Sequence, residues 1–147
     1  MLKSLLIPGV FLVFSIPALA HSPWGQYQVY RQMHLLIMST IPDGPTYPYS
    51  NKIVKAINEV IPEAKARPAR AKNFESVHSL FKTKQIQLVL LSKSNAKALL
   101  EGSTPFSGLG PVEAKVLYAF GDLLLLVQND FPDSNVWLLA DAFKKIH

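Results

Sequence analysis

The run Ile86-Gln87-Leu88-Val89-Leu90-Leu91, closed by Ser92, most narrows what this chain can fold into. It is too short for an ordinary helix and apolar on successive residues, the pattern of a strand covered on both faces. Two similar runs precede it. His34-Leu35-Leu36-Ile37-Met38-Ser39 is apolar throughout its centre, and residues 65–70 form a weaker strand that Pro68 restricts to an edge position.

Each run gives way to apolar residues at helical spacing. Ile53, Ile57, Val60 and Ile61 follow the first, in a helix expected to start at an N-cap Ser50 and to stop at Pro62. The loop between, residues 40–48, contains Pro42, Pro45 and Pro48, which argues against helix there. Phe74, Val77, Leu80 and Phe81 follow the second, behind an N-cap Asn73 and with Glu75 suiting the helix dipole. His78 falls on the outer side of that helix. A short helix over residues 94–100 follows the third.

After a loop rich in Gly, Ser and Pro, residues 112–120 and 123–129 read as antiparallel strands joined by the tight turn Gly121-Asp122. Pro132 and Ser134 then precede a helix with Val136, Leu139, Phe143 and Ile146 on one side. Alternating strands and helices predict an α/β fold: a mostly parallel sheet with helices on both faces and a C-terminal antiparallel hairpin.

The first 20 residues, MLKSLLIPGVFLVFSIPALA, carry one lysine, an apolar stretch broken by Pro8, Gly9 and Pro17, and the small-x-small triplet Ala18-Leu19-Ala20. That is the pattern of a secretory signal rather than of a membrane anchor. Cleavage after Ala20 predicts a periplasmic chain over residues 21–147, organised as one domain. Its N-terminal His21 would offer amine and imidazole nitrogens to Cu(II), but His34, His78 and His147 form no ligand-spaced cluster with it, so no metal is expected.

The chain has 15 Lys+Arg, 10 Asp+Glu and no Cys. Without cysteine there is no disulfide framework, thiolate metal site or thiol nucleophile. The charge excess is modest and scattered apart from Arg67, Arg70 and Lys72, whereas a nucleic-acid surface calls for a basic stripe with interleaved aromatics. Motifs for a serine elbow, a metalloprotease helix or a phosphate-cradling loop are missing from the sequence. Ser39, His78 and Asp122 make a triad only on paper. The expectation is therefore a protein without catalytic residues or cofactor.

In parallel sheets, ligands bind beyond the C-terminal strand ends. Those ends carry Ser39 and Thr40, Arg70 and Asn73, and Ser92 and Ser94. Tyr47, in the loop after the first strand, either closes over a ligand or packs on Pro48 or the first helix. The arginines either attract a carboxylate or form a solvated charge cluster. Trp24, Tyr27, Tyr30 and Trp137 are either ordinary near-core aromatics or the cover of an interface.

Three stretches resemble the extracytoplasmic solute-binding proteins of the type II periplasmic-binding fold, in particular the TAXI group that serves TRAP transporters. They are the strand ending at Ser39 with Tyr47-Pro48 and the helix containing Ala56-Ile57-Asn58, the span from Asn73 to Ser92, and the paired strands over residues 116–127. The resemblance implies a single lobe of that fold, binding a small anionic or zwitterionic solute such as an organic acid or amino acid through Ser39, Thr40, Tyr47, Arg70, Asn73 and Ser92. It also implies a membrane transporter or another exported protein as partner. The chain departs from the family where Ile41-Pro42-Asp43 and Ala71-Lys72 replace glycines and where Leu91 replaces a polar residue. It also ends at His147, near the point where family members cross into a second lobe. One lobe leaves half of a ligand in water and would bind it weakly. The second expectation is accordingly an accessory or assembly subunit that has lost its ligand and uses the open face for another exported protein or for self-association.

Overall fold

The computed structural model describes residues 30–146. The expected signal segment with its cleavage site, His21, Trp24, Tyr27 and His147 lie outside the described residues. Strands β1 (Leu36–Thr40), β2 (Arg67–Ala71), β3 (Leu88–Ser92), β4 (Ala114–Phe120) and β5 (Leu123–Gln128) alternate with helices α1 (Thr46–Val60), α2 (Phe74–Lys82), α3 (Lys93–Glu101) and α4 (Asp133–Phe143). They form one five-stranded mixed sheet in the order β2-β1-β3-β5-β4. β1 is parallel to β2 and to β3, while β5 runs antiparallel to both β3 and β4. The α/β class, the parallel order and the terminal hairpin are as the sequence predicts.

Two cores lie on opposite faces of the sheet. Ile37, Leu88, Leu90, Leu125 and Val127 meet Ile53 and Ile57 of α1 and Leu139 and Phe143 of α4. Met38, Val89, Leu91 and Leu126 meet Val77 and Phe81 of α2, Leu99 of α3, and Phe106. Successive residues of β3 thus serve both cores, which is why its sequence is apolar without alternation.

The boundaries differ from expectation where tertiary contacts claim a residue. α1 begins at Thr46, with Pro45 as N-cap, so Ser50 is not the cap; its hydroxyl donates to the Tyr47 carbonyl at 2.6 Å, inside the helix. The loop prolines do not forbid this. Pro48 occupies the first turn, where a backbone N–H would have no intrahelical acceptor to lose. β2 begins only at Arg67, because a 3-10 turn over Pro62–Ala64 ends with Lys65 in the left-handed region, φ 47°. Ile86 is tied to the end of α2, its N–H donating to the Leu80 carbonyl at 3.2 Å, and β3 begins at Leu88.

β2 is an edge strand, as Pro68 requires. The hairpin turn places Gly121 at φ 61°, a conformation that glycine adopts without a Cβ penalty. Gly102 ends α3 at φ 73°, and a Cβ there would stand 2.8 Å from the nitrogen of Pro111. His78 is buried rather than on an outer face: the loop between α3 and β4 folds back over α2, and His78 Nε2 donates to the Gly110 carbonyl at 2.9 Å.

Candidate functional site

Because β1, β2 and β3 run parallel, Thr40, Ala71 and Ser92 end at one pole of the sheet. β1 lies between β2 and β3, so the chain order reverses beside it, and the crevice outside β1 and β3 is where such sheets accept ligands. Most of the groups expected to bind solute converge here, and most are already engaged. Ser39 is buried, and its hydroxyl donates to the Ala69 carbonyl at 3.0 Å. Arg70, opposite Ser39 in register, lays its guanidinium 4.4 Å from the centre of the Tyr47 ring, a cation–π contact that draws Tyr47 toward β2.

The residue that sequence reasoning missed is Asp43. It is buried, and its Oδ2 accepts the backbone N–H of Ser92 at 2.7 Å, across 49 residues of chain. The carboxylate therefore sits at the start of α3, where free N–H groups and the helix dipole favour negative charge. Its carbonyl also accepts from the Thr46 hydroxyl at 2.7 Å and from the Thr46 N–H at 3.1 Å, which holds the loop against α1. No local signal in Ile41-Pro42-Asp43-Gly44-Pro45 marks this partnership, because Ser92 is brought to it only by the β1–β3 pairing. Thr40 is the exception to this internal satisfaction: its hydroxyl is the one buried side-chain polar atom among the described residues without a hydrogen-bond partner.

Asn73 does not join the crevice. Its Oδ1 accepts the Ser76 N–H at 2.8 Å as the N-cap of α2, and the residue borders a shallow depression along that helix with Glu75, Ser76 and Ser79. Asn73→Ala is expected to cost about 1 kcal/mol, the usual loss for an N-cap, read as a lower midpoint in urea unfolding. Asp122 lies in the hairpin turn, where its carbonyl accepts the Lys93 N–H at 2.7 Å. Ser39, His78 and Asp122 each have separate partners, and the paper triad is not assembled.

The larger cavity, about 720 Å³, opens at the opposite pole. Its apolar walls come from Met33, Leu35, Ile61, Phe131 and Leu138, with Arg31, Glu63, Lys84 and Gln85 among its polar lining. Two of these charges have partners: Arg31 donates to Gln85 Oε1, and Lys84 pairs with Asp130 at 2.9 Å, holding that exposed carboxyl below the ordinary carboxylate range. His34 stacks on Tyr30 with ring centres 4.2 Å apart. Among the described residues no group of acids and histidines is placed to hold a metal.

Next to this cavity, α4 displays Trp137, 76% exposed, and Leu138, 50% exposed. The helix angle separates them: Leu138 turns toward the cavity, whereas Trp137 lies on the side of α4 opposite the buried Leu139 and points to solvent. Among the described residues no helix is long and apolar enough to cross a membrane. No family model matches the chain, and no curated protein matches it as a relative.

Proposed function

We propose that this chain is an exported accessory protein, built on one lobe of the periplasmic-receptor type that it resembles, which docks on another exported or membrane-transporter protein without catalysis. The observation that carries this reading is Trp137. A tryptophan three-quarters exposed on a helix whose other face is firmly packed gives little to the fold, yet is among the side chains that dominate binding energy when a partner covers them. Leu138 beside it and Met33 across the cavity rim extend the apolar surface. The internal engagement of Ser39, Tyr47, Arg70 and the Ser92 N–H agrees with a pole that no longer serves a solute.

Trp137→Ala is expected to leave unfolding free energy within about 0.5 kcal/mol of the parent. The same change should weaken association with the partner at least tenfold, as measured by site-specific photo-crosslinking of the exported protein in its own cell envelope. Unchanged crosslinking from position 138 after the substitution would remove this reading.

Thr40 favours a second reading, in which a small organic acid or amino acid binds at the strand ends. A buried hydroxyl without a partner costs free energy that a ligand oxygen could recover. A thermal-shift screen against such solutes should then find one that stabilises by about 2.7 kcal/mol at 100 times its dissociation constant, and Thr40→Val should erase the shift.

A further inference from the structure

The cavity at the N-terminal ends of β1 and β3, about 720 Å³, is of the size that encloses a small ligand or a pair of large side chains. Its apolar walls include Leu35, Ile61 and Phe131, and Gln85 and Asn135 supply amide groups. Met33, 55% exposed, and Leu138, 50% exposed, also line it and leave apolar area in water.

The chain delivers an occupant to that place. Residues 30–33 form a helical turn whose Arg31 and Met33 line the cavity. His34 fixes the start of the turn: its ring stacks on Tyr30 at 4.2 Å, and its Nδ1 donates to the Tyr30 carbonyl at 2.9 Å. The nine residues before Tyr30, HSPWGQYQV, are thus joined to the fold beside the cavity. Fully extended they reach about 30 Å, more than enough to cross it. Tyr27 stands four residues before Arg31 and seven before His34, the spacing of one helix side, and both of those line the cavity. From Ser22 to Val29 no side chain is charged, so burying them desolvates no ion, while Trp24 and Tyr27 each carry a large apolar area and one polar handle.

We infer that residues 21–29 fold back onto this cavity and fill it with the side chains of Trp24 and Tyr27, whose indole N–H and phenol O–H meet the amides of its wall. The tether favours this segment over any separate occupant. A short linker gives an effective concentration of about a millimolar, so an intrinsic dissociation constant of about 0.1 mM keeps the segment docked about ten times as often as free. The shallow depression along α2, which Arg31 also borders, is the poorer seat, because Asn73, Glu75, Ser76 and Ser79 make its lining polar. Docking covers Met33 and Leu138 with the segment's own apolar atoms and leaves Trp137, which points to solvent, bare. This placement is independent of whether Trp137 meets a partner.

The test uses the exported chain carrying Trp137→Phe, in which Trp24 is the one tryptophan left. Acrylamide should quench Trp24 about tenfold more slowly than it quenches free tryptophan amide, at every protein concentration. Leu138→Glu and, separately, Met33→Glu put a charge at the cavity mouth, and a tenfold loss of docking from either should reduce that protection to about twofold. Both side chains are half exposed, so the fold should tolerate the changes, which circular dichroism checks. A photo-reactive residue at Asn135 should capture residues 21–29 of the same chain in the purified protein. Quenching of Trp24 at the rate of the free amide overturns the proposal, and so does protection that both charges leave intact, which would seat Trp24 elsewhere. Protection that appears only at high concentration puts the segment on a second copy and overturns it as well. Failure of Asn135 to capture any of residues 21–29 overturns it even where a charged variant does not fold.

Discussion

Replacing Phe143 by alanine is expected to cost the domain about 3–5 kcal/mol, the largest loss foreseen for any single change here. Phe143 is 1% exposed, and its ring meets Phe120 at 5.3 Å and Tyr118 at 5.5 Å, both nearly edge-on. Tyr49 of α1 closes the group against Phe120, so one aromatic cluster joins α4, β4 and α1. Deleting the ring removes its transfer free energy and leaves a cavity between elements that cannot all close on it. Total stability of a domain this size is about 5–15 kcal/mol, so the variant should melt far lower, by tens of degrees. Phe143→Leu should recover roughly half of the loss. Calorimetry or thermal circular dichroism reads both, and a Phe143→Ala loss below about 1 kcal/mol would mean that α4 is not seated as described. Since Phe143 seats the helix that carries Trp137, the same variant should also lose partner crosslinking, for a reason that Trp137→Ala at unchanged stability separates.

Asp43→Ala is the second large effect, expected at about 2–3 kcal/mol. The carboxylate accepts the Ser92 N–H at 2.7 Å from a buried position, and hydrogen bonds to charged groups are worth more than neutral ones. Alanine leaves that donor at the start of α3 unpaired and removes a negative charge from the favourable end of the helix dipole. Asn keeps an acceptor of nearly the same shape without the charge, so Asp43→Asn should lose clearly less than Asp43→Ala. Urea unfolding measures the difference as a displaced midpoint at constant slope. The two variants also bear on solute binding, because both remove a built-in anion from the crevice beside Thr40. If a small carboxylate stabilises Asp43→Ala and not the parent, the aspartate occupies the place of an anionic ligand.

Elements whose signal is local were legible in the residues. The continuous apolar pattern of β3 reflects burial on both faces, Asn73 three residues before Ser76 is a cap satisfied within one turn, and Gly121-Asp122 answers a local need for left-handed backbone. Pro68 announced an edge strand because its missing N–H excludes a central one. Errors arose where the deciding contact is distant. The burial of His78 depends on a loop 32 residues away that supplies the Gly110 carbonyl. Reading three loop prolines as excluding helix failed at Pro48, because position within the helix matters as much as residue type.

The candidate site divides in the same way. Residue order along the chain sufficed to place Ser39, Thr40, Arg70 and Ser92 at one pole, since parallel strands joined by helices must end together. It did not tell whether those groups are available, because availability depends on partners such as Asp43 and the Ala69 carbonyl that only folding brings near. Trp137 is the converse case. Its place on an amphipathic helix was visible in the sequence, but its exposure follows from how α4 rolls against the sheet, and that angle is set by Phe143, Leu139 and the strands beneath them. Periodicity reports what each segment prefers, while solvent exposure is a property of the assembled surface, summed over contacts that no short window of sequence contains.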